Sequence, residues 1–274
     1  MTDRMSLPPI LDNKHHDAPA VFKPENLMRE ARRQRGLPTI PVPDVCILDP
    51  DGDIVRALRA GGRGETFPGW ACYHTEMLAF DLGGERVGIV GCAVGASFAV
   101  LIAEQMFASG CRLLLSVTSA GRIAPDLPDR AFFVLIEKAL RDEGTSYHYA
   151  PADQRFAHAD PDLVALAARA LAETGLPVLH GAVWTTDAPF RETEQAIATA
   201  AADGLLAVEM EAAALYAFAR ARQAPVICVA HVTNQMAQVE GDFEKGEADG
   251  SADALTALSS IVVSWRRDAG QGRS

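Results

Sequence analysis

The apolar residues of this chain gather into short continuous runs: Val45–Leu48, Arg86–Gly91, Leu113–Thr118, Phe132–Ile136, Val178–Trp184 and Val226–Val232. A strand with one wet face alternates apolar and polar residues, whereas a strand covered on both faces does not. Segments of helical length lie between the runs, over Ser97–Ala108, Asp160–Glu173, Arg191–Ala202, Glu211–Arg222 and Ala252–Arg266. Covered strands alternating with helices predict a three-layer α/β architecture. Hydrophobic residues make up 49% of the 274, which is enough to fill such a core. Neither a repeat nor a second linker divides the chain. It reads as an N-terminal extension over residues 1–40, a polar arm plus one helix opening at Pro24, followed by a single domain over 41–274.

The net charge of −11 argues against a nucleic-acid surface, which needs surplus Lys and Arg to meet phosphates. No run of about 18 uncharged apolar residues is present to span a membrane, and the N-terminus lacks the apolar segment of a secretory signal. Cys46, Cys72, Cys92, Cys111 and Cys228 show no paired spacing, and four of them sit in apolar surroundings. Buried free thiols in a reducing cytoplasm are expected, with no metal site.

Ligands of α/β proteins collect at the carboxyl ends of strands, and several predicted strand ends here carry polar residues. In DPDGDIVR, Asp49–Arg56, Gly52 can let the backbone approach an anion while Arg56 aims a fork at it from one helical turn on. The plainer alternative is a polar turn with a surface arginine. SVTSAG, Ser116–Gly121, offers hydroxyls and backbone N–H groups to a phosphate or sugar oxygen, or simply makes a tight turn. GCAVGAS, Gly91–Ser97, lacks dinucleotide-loop spacing. Thr186 or Asp187 is placed to cap the helix that follows, and Phe190 and Arg191 at that loop tip suit stacking and hydrogen bonding to a planar base. His148 and His231 read as satisfied structural residues. AVEMEAAALYAFA, Ala207–Ala219, reads as an interior helix that carries Glu209 and Glu211 at its head, where dipole compensation is the bland explanation.

Together these segments resemble the nucleoside phosphorylase family, which includes uridine phosphorylase, hexameric purine nucleoside phosphorylase and the methylthioadenosine nucleosidases. Val208-Glu209-Met210-Glu211-Ala212-Ala213 is similar to the family's ribose-binding signature. Gly52, Asp53 and Arg56 resemble its phosphate-binding GDPxR, with Ile54 where proline usually stands, and Thr118–Gly121 resembles its GTSG or GSAG turn. Arg141–Pro151 is similar to a uridine phosphorylase segment, and the likeness covers residues 44–266.

The resemblance implies a single-domain three-layer α/β/α sandwich around a central mixed sheet. It implies phosphorolysis of a ribonucleoside to free base and ribose 1-phosphate, with inorganic phosphate as co-substrate and no other cofactor. Gly52, Arg56 and Ser119 would bind phosphate. Glu209, Met210 and Glu211 would bind ribose, with Glu211 on the hydroxyls. Phe190, Arg191 and Asn234 would serve the base. An asparagine at position 234 suits uracil or a 6-oxopurine, because an amide donates a hydrogen bond but not a proton. The family also implies a homo-oligomer, a dimer or trimer of dimers. Ser116 departs from the family's phosphate arginine, which leaves Arg56, with Arg63 or Arg122 as a candidate helper, to grip the anion. Hydrolysis by water and a binding protein without turnover therefore stand as alternatives.

Overall fold

The computed structural model describes residues 7–124, 127, 131–234 and 250–271. Helix α1 (Pro24–Arg35) is followed by β1 (Val45–Asp49), α2 (Asp53–Ala60), β2 (Glu65–Thr66), β3 (Leu78–Leu82), β4 (Glu85–Gly91) and α3 (Ala96–Ala108). Next come β5 (Leu113–Arg122), β6 (Phe132–Asp142), a 3₁₀ turn over Thr145–His148, β7 (Phe156–His158), α4 (Pro161–Ala172) and β8 (Val178–Thr186). A second 3₁₀ turn over Pro189–Arg191 leads into α5 (Glu194–Ala202), β9 (Leu205–Glu209), α6 (Ala212–Arg222), β10 (Val226–Asn234) and α7 (Ser251–Gln271).

The strands form one mixed sheet, as expected. Strands β4, β1, β5 and β10 run parallel to one another, and so do β6, β8 and β9, but β10 meets β6 antiparallel. The ten-residue β5 has a further partner: its far end, Gly121 and Arg122, pairs antiparallel with Val208 and Ala207 of β9. The pairings β5–β10–β6–β8–β9–β5 therefore close a ring, and the end of β9 is carried back onto the end of β5. That closure brings two segments far apart in sequence into one site.

Both faces of the sheet are covered, which is why the strands read as continuous apolar runs. One core packs Leu48, Val90, Leu114, Val134 and Ala207 beneath α3 and α6; the other packs Ile47, Ile89, Leu115, Leu135 and Val229 beneath α2, α4 and α7. Helix α6 opens with Ala212, Ala213 and Ala214, all buried, so its backbone lies close to the strands. The buried Tyr216 in α6 donates its hydroxyl to the Ile136 carbonyl at 2.6 Å and accepts the Cys228 N–H at 3.1 Å, pinning β6 to β10.

Two expectations need correction. Ala207–Ala219 is not one helix: Leu205–Glu209 is a strand, and Glu211 is the residue that precedes the first turn of α6. The five-residue strand was masked by the alanines that run on from it. The helix predicted over Arg191–Ala202 starts at Glu194 and is capped by Thr193. Asp187 accepts instead from Gly144 N–H at 2.7 Å, and Thr186 accepts from Ala188 N–H at 3.1 Å. Among the described residues, no helix is long and apolar enough to cross a membrane.

Replacing Tyr216 with Phe removes the bridge and strands two buried backbone groups. Urea unfolding should show a loss of about 1–3 kcal/mol. An unchanged midpoint would show that β6 and β10 are held without it.

Candidate functional site

The site forms where the carboxyl ends of β1, β5 and β9 meet. At the end of β1, Asp49 is buried and accepts the Val55 N–H of α2 at 2.9 Å. The first turn of a helix leaves N–H groups without partners, and a carboxylate there satisfies them and suits the helix dipole. Gly52 precedes α2 with φ +79°, and a Cβ on it would stand 2.6 Å from Cys92 Sγ. Only glycine makes this turn while Cys92 sits against it.

Arg56, on the first turn of α2, is 58% exposed. Its guanidinium pairs with Asp53 and donates to the Asp51 carbonyl at 2.9 Å. Asp51 in turn reaches across to β5, where its Oδ2 accepts the Ser119 N–H at 2.9 Å. Gly52, Arg56 and Ser119 are therefore neighbours, as expected, but the Ser119 N–H already carries an anion from the chain itself.

The β9 end repeats the device of β1. Glu209 accepts the N–H groups of Glu211 and Ala212 at 2.8 Å each and is bonded on its other oxygen by the Thr185 hydroxyl. It is buried, with both of its oxygens taken up by donors of the chain itself. Glu211 lies at the centre and is 1% exposed. Its Oε1 accepts the Gly95 N–H at 2.7 Å, and its Oε2 accepts the Thr118 hydroxyl at 2.8 Å. Met210 between the two acids is half-buried.

The remaining expected residues are scattered. Asn234 ends β10 opposite Gly121 of β5, while its side chain falls outside the described residues. Phe190 is 99% exposed and Arg191 is also exposed, because the 3₁₀ turn projects them outward; no stacking platform is formed over the site. Arg63 lies past the far end of α2, in a groove against α7, and so is not beside Arg56. Arg122 donates to the Leu127 carbonyl at 3.3 Å. Ser116, in the position of the missing arginine, is buried, and its hydroxyl finds no hydrogen-bond partner among the described residues. His231 stacks on Phe133 with ring centroids 4.4 Å apart, a core placement as read. Sequence reasoning passed over Asp51 and Thr118. Their signal was the run of aspartates at 49, 51 and 53 and a hydroxyl one residue before Ser119.

The site is acidic. Burial pushes Asp49 up to about 6, reinforced by Asp53 and Asp51. Burial likewise pushes Glu209 up to about 7. Glu211 rises to about 8, from burial first and the Glu209 charge second, with Asp51 a smaller contributor. Among the described residues, no group of three or more His, Cys, Asp and Glu is arranged to hold a metal ion.

Residues 29–264 match the family model described as the phosphorylase superfamily. A DeoD-type purine nucleoside phosphorylase of Geobacillus kaustophilus is 34% identical over 174 residues, covering 59% of this chain and 70% of that protein. That of Brevibacillus brevis is 31% identical over 169 residues, covering 59% and 71%. In structure the chain is similar to uridine phosphorylase from Vibrio fischeri, with a TM-score of 0.66 at 18% identity, covering 83% of this chain and 91% of that one. It is also similar to the 5′-methylthioadenosine/S-adenosylhomocysteine nucleosidase of Neisseria meningitidis, with a TM-score of 0.64 at 19% identity, covering 80% and 97%. At these identities the two structural likenesses establish the fold.

A carboxyl whose folded pKa is raised stays protonated where the unfolded chain ionises, so folding takes up protons. The stability this contributes is complete below the unfolded value near 4.5 and is lost as pH rises through about 7 and 8. Stability in urea should therefore fall between pH 5.5 and pH 8.5, and Glu211→Gln should flatten the fall. A variant that tracks the parent at both pH values would show that Glu211 is not the titrating group.

Proposed function

The chain belongs to the phosphorylase superfamily, and from that premise we propose that it is an enzyme that cleaves the N-glycosidic bond of a ribonucleoside and releases the free base. The observation that carries this reading is Glu211. Its buried carboxyl group joins the Gly95 N–H, just ahead of α3, to the Thr118 hydroxyl of β5, next to the Ser119–Asp51 pair, while the start of α6 is held by Glu209 and not by Glu211. Its role is to accept hydrogen bonds from the ribose hydroxyls and fix the sugar, with Met210 packed against it, so that C1′ faces the attacking group.

Breaking the bond builds positive charge on the ribosyl ring and negative charge on the departing base. The carboxylates around the sugar favour the first. Donors at the base must favour the second, and Asn234 at the end of β10 is assigned to that task. An amide there supports uracil, hypoxanthine or guanine as the leaving group. Phosphorolysis to ribose 1-phosphate is supported by Gly52, Arg56 and Ser119 lying together and by the phosphorylase relatives. Hydrolysis is supported by Ser116 in the arginine position and by Asp51 on the Ser119 N–H.

Assayed at about pH 9, above the raised value of about 8 at which Glu211 ionises, Glu211→Gln keeps the shape but loses charge-assisted hydrogen bonds, each about 1.5–3 kcal/mol. Base release from uridine and inosine, followed chromatographically, should fall at least about tenfold. Near-normal turnover by the folded variant would take Glu211 out of the site.

A further inference from the structure

We propose that the cleft between the N-terminal arm and the carboxyl ends of α3 and α6 is a second small-molecule site, and that it takes a flat aromatic carboxylate. It is separate from the Glu211 site and stands whether or not that site binds a nucleoside.

The two places lie at opposite ends of the same helices. Glu211 precedes α6 and accepts the N–H of Gly95, the residue before α3. Helix α3 has 13 residues and α6 has 11, and at about 1.5 Å per residue their far ends stand roughly 16–20 Å away. There Phe107 and Ala108 of α3, Phe218 and Arg222 of α6 and Trp265 of α7 border an open cleft of about 740 Å³. Small-molecule sites run from roughly 300 to 1,000 Å³ and are walled mostly by apolar and aromatic side chains with a few polar groups.

The walls favour a flat ring. Phe107 and Phe218 lie with centroids 5.8 Å apart and planes tilted by 48°, and the Arg112 guanidinium stands 5.8 Å from the centroid of the Trp265 ring. A planar aryl group entering here meets ring faces and edges rather than flexible chains.

The arm forms the outer wall through Pro19 and Ala20. It is tied down nearby, where Lys14 Nζ donates to His148 Nδ1 at 3.3 Å and His16 Nε2 donates to the Tyr147 carbonyl at 3.2 Å. Yet it does not fill the cleft. Val21 and Phe22, the next two residues, are 99% and 73% exposed. An arm with nothing to cover would gain by laying these side chains on the aromatic wall beside them; instead they face solvent and the cleft stays open.

The charges select a monoanion. Lys23, Arg112 and Arg222 border the cleft against Glu25 and Glu104, a surplus of one positive charge on a chain of net charge −11. Glu104 is already taken up by Arg222 Nε and the Tyr149 hydroxyl, each at 3.1 Å. Arg112 uses one nitrogen on Asp44 at 3.3 Å, and a guanidinium has further donors that match the two oxygens of a carboxylate. Lys23 makes no ion pair among the described residues. Gln223 ends α6 at φ +54°, where glycine would cost less, and its side chain adds an amide to the rim.

The test is equilibrium dialysis of the full chain against trans-cinnamate and against its neutral amide. Cinnamate should bind one to one, and the amide at least about tenfold more weakly, as loss of a charge-assisted hydrogen bond requires. Lys23→Ala should weaken cinnamate binding and leave the amide unchanged. Ala20→Trp, on the exposed arm, fills the cleft and should abolish binding of both while the far-ultraviolet circular dichroism stays that of the parent. Glu211→Gln should bind cinnamate as the parent does. Absence of binding, or equal affinity for acid and amide, would overturn the proposal. So would loss of binding in Glu211→Gln with retention in Ala20→Trp, which would place the ligand at the Glu211 site. Affinity that falls as protein concentration rises would give the cleft to a second copy of the chain, entering with Val21 and Phe22, and would overturn the small-molecule site.

Discussion

The structure turns on a carboxylate at the end of a strand that holds the start of the next helix. Glu209 does this between β9 and α6, and Asp49 does it between β1 and α2. In each case a buried acid meets N–H groups that no turn of helix could satisfy, in the positive field of the helix start. The geometry of everything above depends on these two carboxylates. Because Glu209 fixes where α6 begins, it fixes the backbone from which Glu211 projects. Because Asp49 fixes where α2 begins, it fixes the Gly52 turn, Asp51 beside it and Arg56 one turn on.

Strand β5 then joins the two halves. It pairs with β1 and β10 along its length and with β9 at its far end, and that last pairing curls the sheet shut. Thr118 and Ser119 lie just before it and face the two carboxylates that the capping acids have positioned. A flat parallel sheet would leave β9 some strands away from β1. The ring closure sets both beside β5 and allows one peptide unit to serve both.

Burying so many acids together costs stability above neutral pH, and the raised pKa values of Asp49, Glu209 and Glu211 express that cost. A core built for stability alone would place apolar residues at these strand ends. Their presence marks the region as one arranged for chemistry, and an acidic site suits a reaction that develops positive charge on a sugar. Substitutions that neutralise it are expected to trade activity for stability.

The layering was legible in the sequence, since strands covered on both faces must be apolar throughout and the helices between them carry their own length and caps; Asp160 capping α4 is one such case. The ribose-signature glutamates and the Gly52–Arg56 turn were legible as well, because each is a local pattern. Strand β9 was not, for alanine runs carry no period that separates a short strand from the helix after it. Phe190 and Arg191 were expected to shelter a base, yet their turn points outward. Nor could the sequence say that Asp51 would occupy the Ser119 N–H. Local patterns depend on neighbours along the chain, so the sequence determined the layers, the caps and the pair of acids in the ribose-like signature. Which carboxylate meets which strand depends on how the sheet closes, and tertiary structure alone decided that, because the bond joins residues 68 positions apart across β1 and β5.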